Sequence, residues 1–461
     1  RQAAVRLIAG RYLSFESNTG TIAPVNPRLA HFLLLIAIVV VYVAIGVLYA
    51  ALTPTWQIPD EPAHYNYVRA LAEGRGLPIL EPGDYDQDYL SRLTTEGFPP
   101  ELSVDAVEYE DHQPPLYYLL ATPVYWLFGG AVLPLRLLSV LFGAALLIVA
   151  SETVRAIFPE QSRLGLMATA FIAFIPQHVA MSAGVNNDTL AELIVGGTLW
   201  ALVVYLRGGH NRPWPLGLLV AAALLTKGSI YIVVPVAIAA VVLRRRHERR
   251  TWRWAATQLA WVLIPALLVS APWFIRNGVT YGWFDLTGQV RHDEVVRGQL
   301  TTAEYLANHG WGDLLRNMAR TTFHSFWGQF GWMAVPLQPR FYQALAAFSF
   351  LAAVGFLWWL FDRRRPRLTS HQRVSLALLF LSCLLTIVVF LGYNARFLQH
   401  QGRYLFPALV PIGMAVALGL DRLASVLPQR VRYWPAGILF VGMALFDVYC
   451  LFKVVVPFLT R

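Results

Sequence analysis

Cysteine, lysine and charge are all scarce in this sequence of 461 residues. It has two cysteines and two lysines, and charged residues make up only 14%. Cys383 and Cys450 both fall inside apolar segments, so they read as packing residues rather than a disulfide or a metal pair. A soluble domain carries about 25% charged residues, so a secreted, disulfide-built or disordered protein is excluded. No His-Glu-x-x-His, Walker-type glycine loop or Gly-x-Ser-x-Gly is present either. What the chain does have is apolar sequence: 56% of it, gathered in blocks. The block LAHFLLLIAIVVVYVAIGVLYAAL, residues 29–52, contains no acid or base apart from His31. It is long enough to cross a hydrocarbon core of roughly 30 Å. The chain is a polytopic membrane protein.

The net charge of +10 has a topological meaning. Its bases lie in short runs between apolar segments, chiefly Arg244, Arg245, Arg246, Arg249, Arg250 and Arg253, then Arg363, Arg364, Arg365, Arg367 and Arg373. That is the positive-inside pattern of cytoplasmic loops, and nothing in it suggests a nucleic-acid partner. Eleven spans are expected, near residues 30–52, 133–154, 164–183, 189–206, 215–226, 229–243, 255–274, 341–361, 374–393, 404–420 and 435–457. With the N-terminus inside, 22 of the 37 bases fall on the cytoplasmic side. The apolar stretch 116–130 is too short to span and reads as a helix at the outer surface. The pair 215–226 and 229–243 reads as a shallow hairpin with Thr226-Lys227-Gly228-Ser229 at its tip. The chain opens at Arg1 rather than methionine, which points to residues preceding it. No cleavable signal peptide is expected, because the first apolar run is too long and starts late.

This threading divides the chain into a cytoplasmic segment (1–29), a transmembrane module (30–274) that includes an outer loop at 53–132, a second outer loop (275–340), and C-terminal transmembrane helices (341–461). The first loop holds 13 of the 27 acids against three arginines. Loops this long usually carry function, so the chemistry is expected on the outer face.

Five segments there stand out. Asp60, Glu61 and His64 follow the first span. Asp60 suits an N-cap for an amphipathic helix running to about Glu73, with Pro62 in its first turn. It equally suits a general base at the membrane boundary, and the Asp60-Glu61 pair beside His64 suits a divalent cation. His112-Gln113-Pro114-Pro115-Leu116-Tyr117-Tyr118 closes the loop, with His112 either a surface histidine or a site residue. Asp188 either caps the fourth span or supplies a second carboxylate. Lys227, one of only two lysines, either snorkels to the interface or binds a phosphate. In Gln401-Gly402-Arg403-Tyr404, Arg403 is either an interfacial anchor or a bidentate phosphate ligand. Gly402 permits close approach there, and Pro407 and Pro411 would bend the span. In the second loop, Arg276-Asn277, His292-Asp293-Glu294, His309 and His324 show no diagnostic spacing.

Taken in order, these segments resemble the GT-C superfamily of membrane glycosyltransferases, in the branch with protein O-mannosyltransferases and aminoarabinose transferases. The resemblance rests on Pro59-Asp60-Glu61, the His112-to-Tyr118 segment, Asn187-Asp188, Thr226-Lys227-Gly228 and Gly402-Arg403-Tyr404. It implies an all-α polytopic fold of GT-C type with about eleven transmembrane helices (10–13) and amphipathic helices in the first outer loop. It implies that Asp60 is the catalytic base with Glu61 beside it, and that Arg403, Lys227 and His112 face a donor phosphate. Substrate contacts then fall to His64, Gln113, Tyr117 and Tyr404. Asp60 and Asp188 would be the positions for a divalent metal ion (Mg, Mn, Ca or Zn). Aminoarabinose transferases tend to carry lysine where this chain has Gln113, a departure from that subgroup.

The implied activity is sugar transfer from a polyprenyl-phosphate donor to a lipid, glycan or protein acceptor, with inversion, at the extracytoplasmic face of a prokaryotic-type plasma membrane. The alternative is a transporter or flippase of a lipid-linked or anionic substrate. That class predicts two related halves, and no convincing internal repeat is visible. A non-catalytic scaffold would explain the loops but not the phosphate-suited bases.

Overall fold

The structure, a computed structural model, describes residues 26–208 and 212–460. Arg1, Arg6 and Arg11, expected on the cytoplasmic side, lie outside the described residues. The chain begins with α1 (Pro27–Leu52), then α2 (Glu61–Ala72), α3 (Gln87–Thr95) and α4 (Leu116–Leu127). Next come α5 (Val132–Ile157), α6 (Ser162–Ala173), α7 (Pro176–Ser182), α8 (Asp188–Leu206) and α9 (Trp214–Leu224). A 3-10 turn at Gly228–Ile230 leads into α10 (Val233–His247) and α11 (Trp252–Tyr281). The stretch 275–340 contains α12 (Gln289–Val295), α13 (Thr302–Trp327) and a small hairpin, β1 (Gln329–Phe330) with β2 (Val335–Pro336). The chain ends with α14 (Pro339–Phe361), α15 (Ser370–Asn394), a 3-10 segment at Gly402–Ala408, α16 (Leu409–Ala424) and α17 (Trp434–Cys450), which continues through a π-helical segment at Leu451–Val455 into α18 (Val456–Leu459).

Among the described residues, nine helices are long and apolar enough to cross a membrane, and the bent pair α6–α7 makes a tenth. Every expected span coincides with a helix. The shortest, α9, has only eleven residues and does not qualify by length. Its partner α10, counted from Gly228, is longer than a shallow hairpin requires. The protein is therefore a multi-pass integral membrane protein. The first loop carries the expected amphipathic helices, α2 and α3, and 116–130 forms the short α4.

Packing follows side-chain size. α5 lies along α8 and α6, α1 along α5, α11 along α9, and α14 along α16. The bend of 69° between α6 and α7 falls just before Pro176. Proline lacks the N–H that would continue the ladder, and it disfavours helical geometry in the residue before it. The α14–α16 crossing depends on two glycines. A Cβ at Gly419 would lie 2.2 Å from the Ala352 carbonyl oxygen, and one at Gly355 would lie 2.3 Å from the Gly419 oxygen. Small residues let membrane helices approach this closely. Gly419→Leu should therefore force the helices apart and cost about 1–3 kcal/mol. Gly437→Ala on α17, which meets nothing within 4 Å, should not lower stability. Thermal unfolding of both variants in detergent checks this.

Candidate active site

One end of the bundle gathers the ends of α1, α9, α11 and α15, the starts of α8, α10 and the 402–424 span, and the loops between them. The most constrained point there is Arg136, near the start of α5. Its Nε and Nη2 each donate to a different oxygen of Glu61 at 2.7 Å. Nη1 donates to the carbonyls of Ala50 (2.8 Å) and Thr53 (2.7 Å), and Nη2 also donates to Pro54 O at 3.1 Å. All five guanidinium donors are thus used, and two of the acceptors are carbonyls at the end of α1, where a cation is favoured. Glu61 is fully buried and also accepts from the N–H groups of Trp56 (3.0 Å) and Val185 (3.1 Å). It has no face toward a substrate. Glu61, expected beside the catalytic base, has its carboxylate taken up by Arg136 and these N–H groups, and so fixes the turn that carries the preceding residue, Asp60.

Asp60 occupies the N-cap position of α2, but its side chain makes no cap bond and its backbone is left-handed, with φ of 66°. The carboxylate turns instead toward a second cluster. Oδ1 accepts from the Tyr109 hydroxyl at 2.7 Å, and Oδ2 is paired with Arg403 Nη2. Arg403 Nη1 lies 3.7 Å from Asp188 Oδ2, and Asp188 Oδ1 is paired with Lys227 Nζ. Lys227 Nζ also donates to Asn187 Oδ1 at 3.0 Å. Asp188 sits at the first position of α8, with Asn187 as the N-cap, so Asp188 serves the cluster and not the cap. Four charges from segments up to 343 residues apart thus alternate in one line: Asp60, Arg403, Asp188, Lys227. Gly402 allows this, because a Cβ there would meet backbone atoms of Phe326 and Thr322 at 2.3 and 2.4 Å. Burial works to raise the Asp60 pKa, but Arg403, then His64 and the Tyr109 hydroxyl, outweigh it and hold the carboxyl well below its ordinary 3.8.

His112, expected to face a donor phosphate, lines the larger cavity beside this cluster. Burial first, and then His292, push its pKa well below 6.5. Its Nδ1 lies 3.2 Å from the Tyr109 carbonyl, which can only accept, so Nδ1 carries the proton. Nε2 is left as an acceptor for the Gln113 amide at 3.3 Å. A neutral ring with its N–H committed carries no positive charge, which leaves Arg403 and Lys227 as the cations of the charge line. His64 is buried behind the cluster and bonded to the Tyr118 hydroxyl at 2.8 Å. Tyr117 is fully buried against Ser139 on α5, at 3.2 Å. Neither lines the two cavities that meet at the cluster, whereas Gln113 and Tyr404 do. His309 stacks on Tyr305 and His324 on Tyr342, away from the cluster.

Two cavities meet at this charge line. The larger, of ≈ 470 Å³, is lined by His112, Gln113, Lys227 and Tyr231, by Val389 and Phe390 in the last turns of α15, and by Phe397 just past it. The smaller, of ≈ 220 Å³, lies against Tyr85, Gln87, Trp332 and Gln401. Asp60, Glu110, His292, Tyr393, Arg403 and Tyr404 belong to both and form the dividing wall. Sequence alone does not single out Glu110, Tyr109, Tyr393 or Arg136. For Arg136 a signal is present, as an arginine inside an apolar run.

The backbone is strained at the same place. Of six non-glycine residues with left-handed φ among the described residues, five cluster here: Trp56, Asp60, Phe98, Trp332 and Met333. The Trp332 indole donates to Trp56 O at 2.9 Å and its ring lies 5.9 Å from that of Phe98. Such conformations cost of order 1–3 kcal/mol each and collect at functional sites.

The donor set does not suit a divalent metal as arranged. Asp60 and Asp188 each already hold a cationic side chain, with Arg403 between them. Among the described residues no three His, Cys, Asp or Glu side chains converge.

Residues 112–275, about a third of the chain, match the family described as dolichyl-phosphate-mannose-protein mannosyltransferase. No curated protein sequence matches significantly. Among solved structures, the chain is similar to the Archaeoglobus fulgidus oligosaccharyltransferase tethered with an acceptor peptide, with 13% identity and a TM-score of 0.50 over 92% of this chain and 55% of that one. It is also similar to AglB from Archaeoglobus fulgidus in complex with an inhibitory peptide and a dolichol-phosphate, with 14% identity and a TM-score of 0.51 over 92% and 55%. A third likeness is to ArnT from Cupriavidus metallidurans bound to undecaprenyl phosphate, with 16% identity and a TM-score of 0.48 over 93% and 73%. The chain thus spans about half the length of the archaeal proteins. It shares the membrane-domain fold of these archaeal oligosaccharyltransferases.

Proposed function

We propose that this protein is a glycosyltransferase that takes a sugar from a polyprenyl-phosphate donor and passes it to an acceptor on the outer face of the membrane. The observation that carries this reading is the charge line at the boundary of two cavities. It sets a clamped carboxylate, Asp60, next to two fixed cations, Arg403 and Lys227. The donor belongs in the larger cavity, with its phosphate at Lys227 and Arg403. Its isoprenoid chain runs out past Val389 and Phe390, toward lipid. Arg403 Nε is buried and has no partner among the described residues, which leaves a donor free for a phosphate oxygen. The placement on the outer face is supported by the arginine runs, which lie at the opposite ends of α10, α15 and α16 from Lys227 and Arg403.

In transfer, the acceptor group approaches the anomeric carbon from the smaller cavity as the bond to phosphate lengthens. Negative charge grows on the leaving phosphate and is met by Arg403 and Lys227, while Asp60 takes the acceptor's proton. The phosphate draws Arg403 away from Asp60, which makes the carboxylate more basic when it is needed. A single displacement inverts the anomeric centre. The acceptor is a lipid, glycan or protein. No step runs through a metal, and transfer is expected to proceed unchanged after chelation of divalent ions, measured with and without added Mg²⁺ or Mn²⁺.

The pH response follows from the same pair. In the wild type, Asp60 is already ionised throughout the mildly acidic range, so it sets no acid limb there. Arg403→Gln removes the main influence that lowers its pKa and leaves burial opposed only by His64 and the Tyr109 hydroxyl, so the pKa moves upward. The acid limb of kcat/KM should therefore shift to higher pH in this variant.

The reading itself is tested by reconstituting the protein into vesicles with a sugar-labelled polyprenyl-phosphate donor. Label on an acceptor or released to water supports transfer. Label that crosses the bilayer still attached to its lipid would mean a transporter.

A further inference from the structure

We infer that the smaller cavity binds the acceptor and that the acceptor is a neutral carbohydrate, presenting one sugar ring at Asp60. This rests on the transferase reading above, and it names the acceptor class which that reading leaves open. The cavity lies across the Asp60–Arg403 wall from the donor space, so a hydroxyl held in it faces both the base and the anomeric carbon. Its volume of ≈ 220 Å³ equals roughly seven waters of liquid, enough for a terminal sugar ring.

The lining selects the chemistry. Four amides, Gln87, Gln299, Gln399 and Gln401, come from α3, the α12–α13 connection and the segment before Arg403. An amide both donates and accepts, which suits hydroxyl groups that do the same. Gln401 Nε2 already donates to Gln399 Oε1 at 2.8 Å, which fixes the pair. Glu110 adds a carboxylate whose buried Oε2 has no partner among the described residues. That atom needs a donor, and a sugar hydroxyl is one. Trp332, held at its strained turn by the bond to Trp56 O, adds an aromatic side chain to the lining, the kind of group a sugar ring packs on. An anionic acceptor fits poorly. Asp60 and Glu110 both border the cavity, it has no lysine, and its one arginine, Arg403, is shared with the donor side.

The test uses the full chain in nanodiscs and saturation-transfer NMR with mannotriose, maltotriose and chitotriose. A serine- and threonine-containing peptide and phosphatidylglycerol vesicles form the other arms. Undecaprenyl phosphate binding is measured in parallel, both as a check on folding and as a test of the donor side. A neutral trisaccharide should give signal concentrated on one terminal ring. That binding should weaken by about tenfold or more in Gln87→Leu combined with Gln299→Leu, the loss expected for two hydrogen-bonding groups, with undecaprenyl phosphate binding unchanged. If undecaprenyl phosphate binds but no trisaccharide does, or the saccharide signal survives the double variant, the carbohydrate assignment is wrong and the transferase reading stands. Signal from the peptide or the anionic vesicles instead of the saccharides overturns the carbohydrate assignment in the same way. If undecaprenyl phosphate itself fails to bind the wild type, the transferase reading falls, and the acceptor assignment with it.

Discussion

Asp60→Asn should lower sugar transfer by about 10²–10⁴-fold, the range a positioned general base contributes. The replacement keeps the shape of the side chain and the hydrogen bond from Tyr109, so the turn between α1 and α2 should hold. What it removes is the negative charge. The amide cannot take a proton from an acceptor hydroxyl, and it no longer competes with a phosphate for Arg403. Donor binding should therefore be equal to wild type or tighter while kcat collapses. That split separates a catalytic role from a structural one, since a misfolded site would lose both. Lys227→Ala and Arg403→Ala should show the opposite balance in the ground state, with weakened donor binding in each. Measuring kcat and donor affinity separately across the three variants checks the assignment.

Arg136→Leu should destabilise the protein by about 3–5 kcal/mol, the cost of leaving a buried charge without its partner. Glu61 is fully buried, and among the described residues the guanidinium of Arg136 is its only cationic contact at hydrogen-bond distance. Losing Arg136 also frees the carbonyls of Ala50, Thr53 and Pro54. Glu61→Gln should be milder, because the amide oxygen still accepts from some of the same donors. Combining Arg136→Leu with Glu61→Leu should recover part of the loss, because no charge then stays buried. Thermal unfolding of the single and double variants in the same detergent reads this coupling. Activity should fall along with stability, because Glu61 holds the turn that aims Asp60.

Much of the fold is legible in the sequence because membrane spans are long, apolar and punctuated by arginine. All eleven expected segments are helical, and the helix from Glu61 ends within a residue of its expected boundary. The charge line is legible in its parts. Asp60, Asp188, Lys227 and Arg403 each stand out because a charged side chain beside an apolar span needs a reason to be there. Their pairing is not legible, since nothing in sequence links positions 60 and 403.

Adjacent acids are the harder problem. Asp60 and Glu61 look equivalent in sequence, and only the backbone's left-handed turn sends one toward the cavity and the other toward Arg136. The charge state of His112 is hidden for a related reason. A histidine's charge depends on its burial and on the carbonyl it faces, and neither is visible in sequence. Tyr117 and Tyr118 are neighbours on α4 whose rings meet nearly at right angles, 83° apart, so a shared motif does not mean a shared surface. The smaller cavity is out of reach of sequence altogether, because its glutamines are scattered from 87 to 401 and become a set only when the loops pack.

Single turnover of a sugar-labelled polyprenyl-phosphate donor by the purified protein, beside its Asp60→Asn variant, is the most direct measurement. Wild type should release unlabelled polyprenyl phosphate and move the sugar to an acceptor or to water, and the variant should bind the donor and hold it intact. Equal turnover in both proteins, or no turnover in the wild type with donor bound and acceptor present, would contradict Asp60 as the base of a glycosyl transfer.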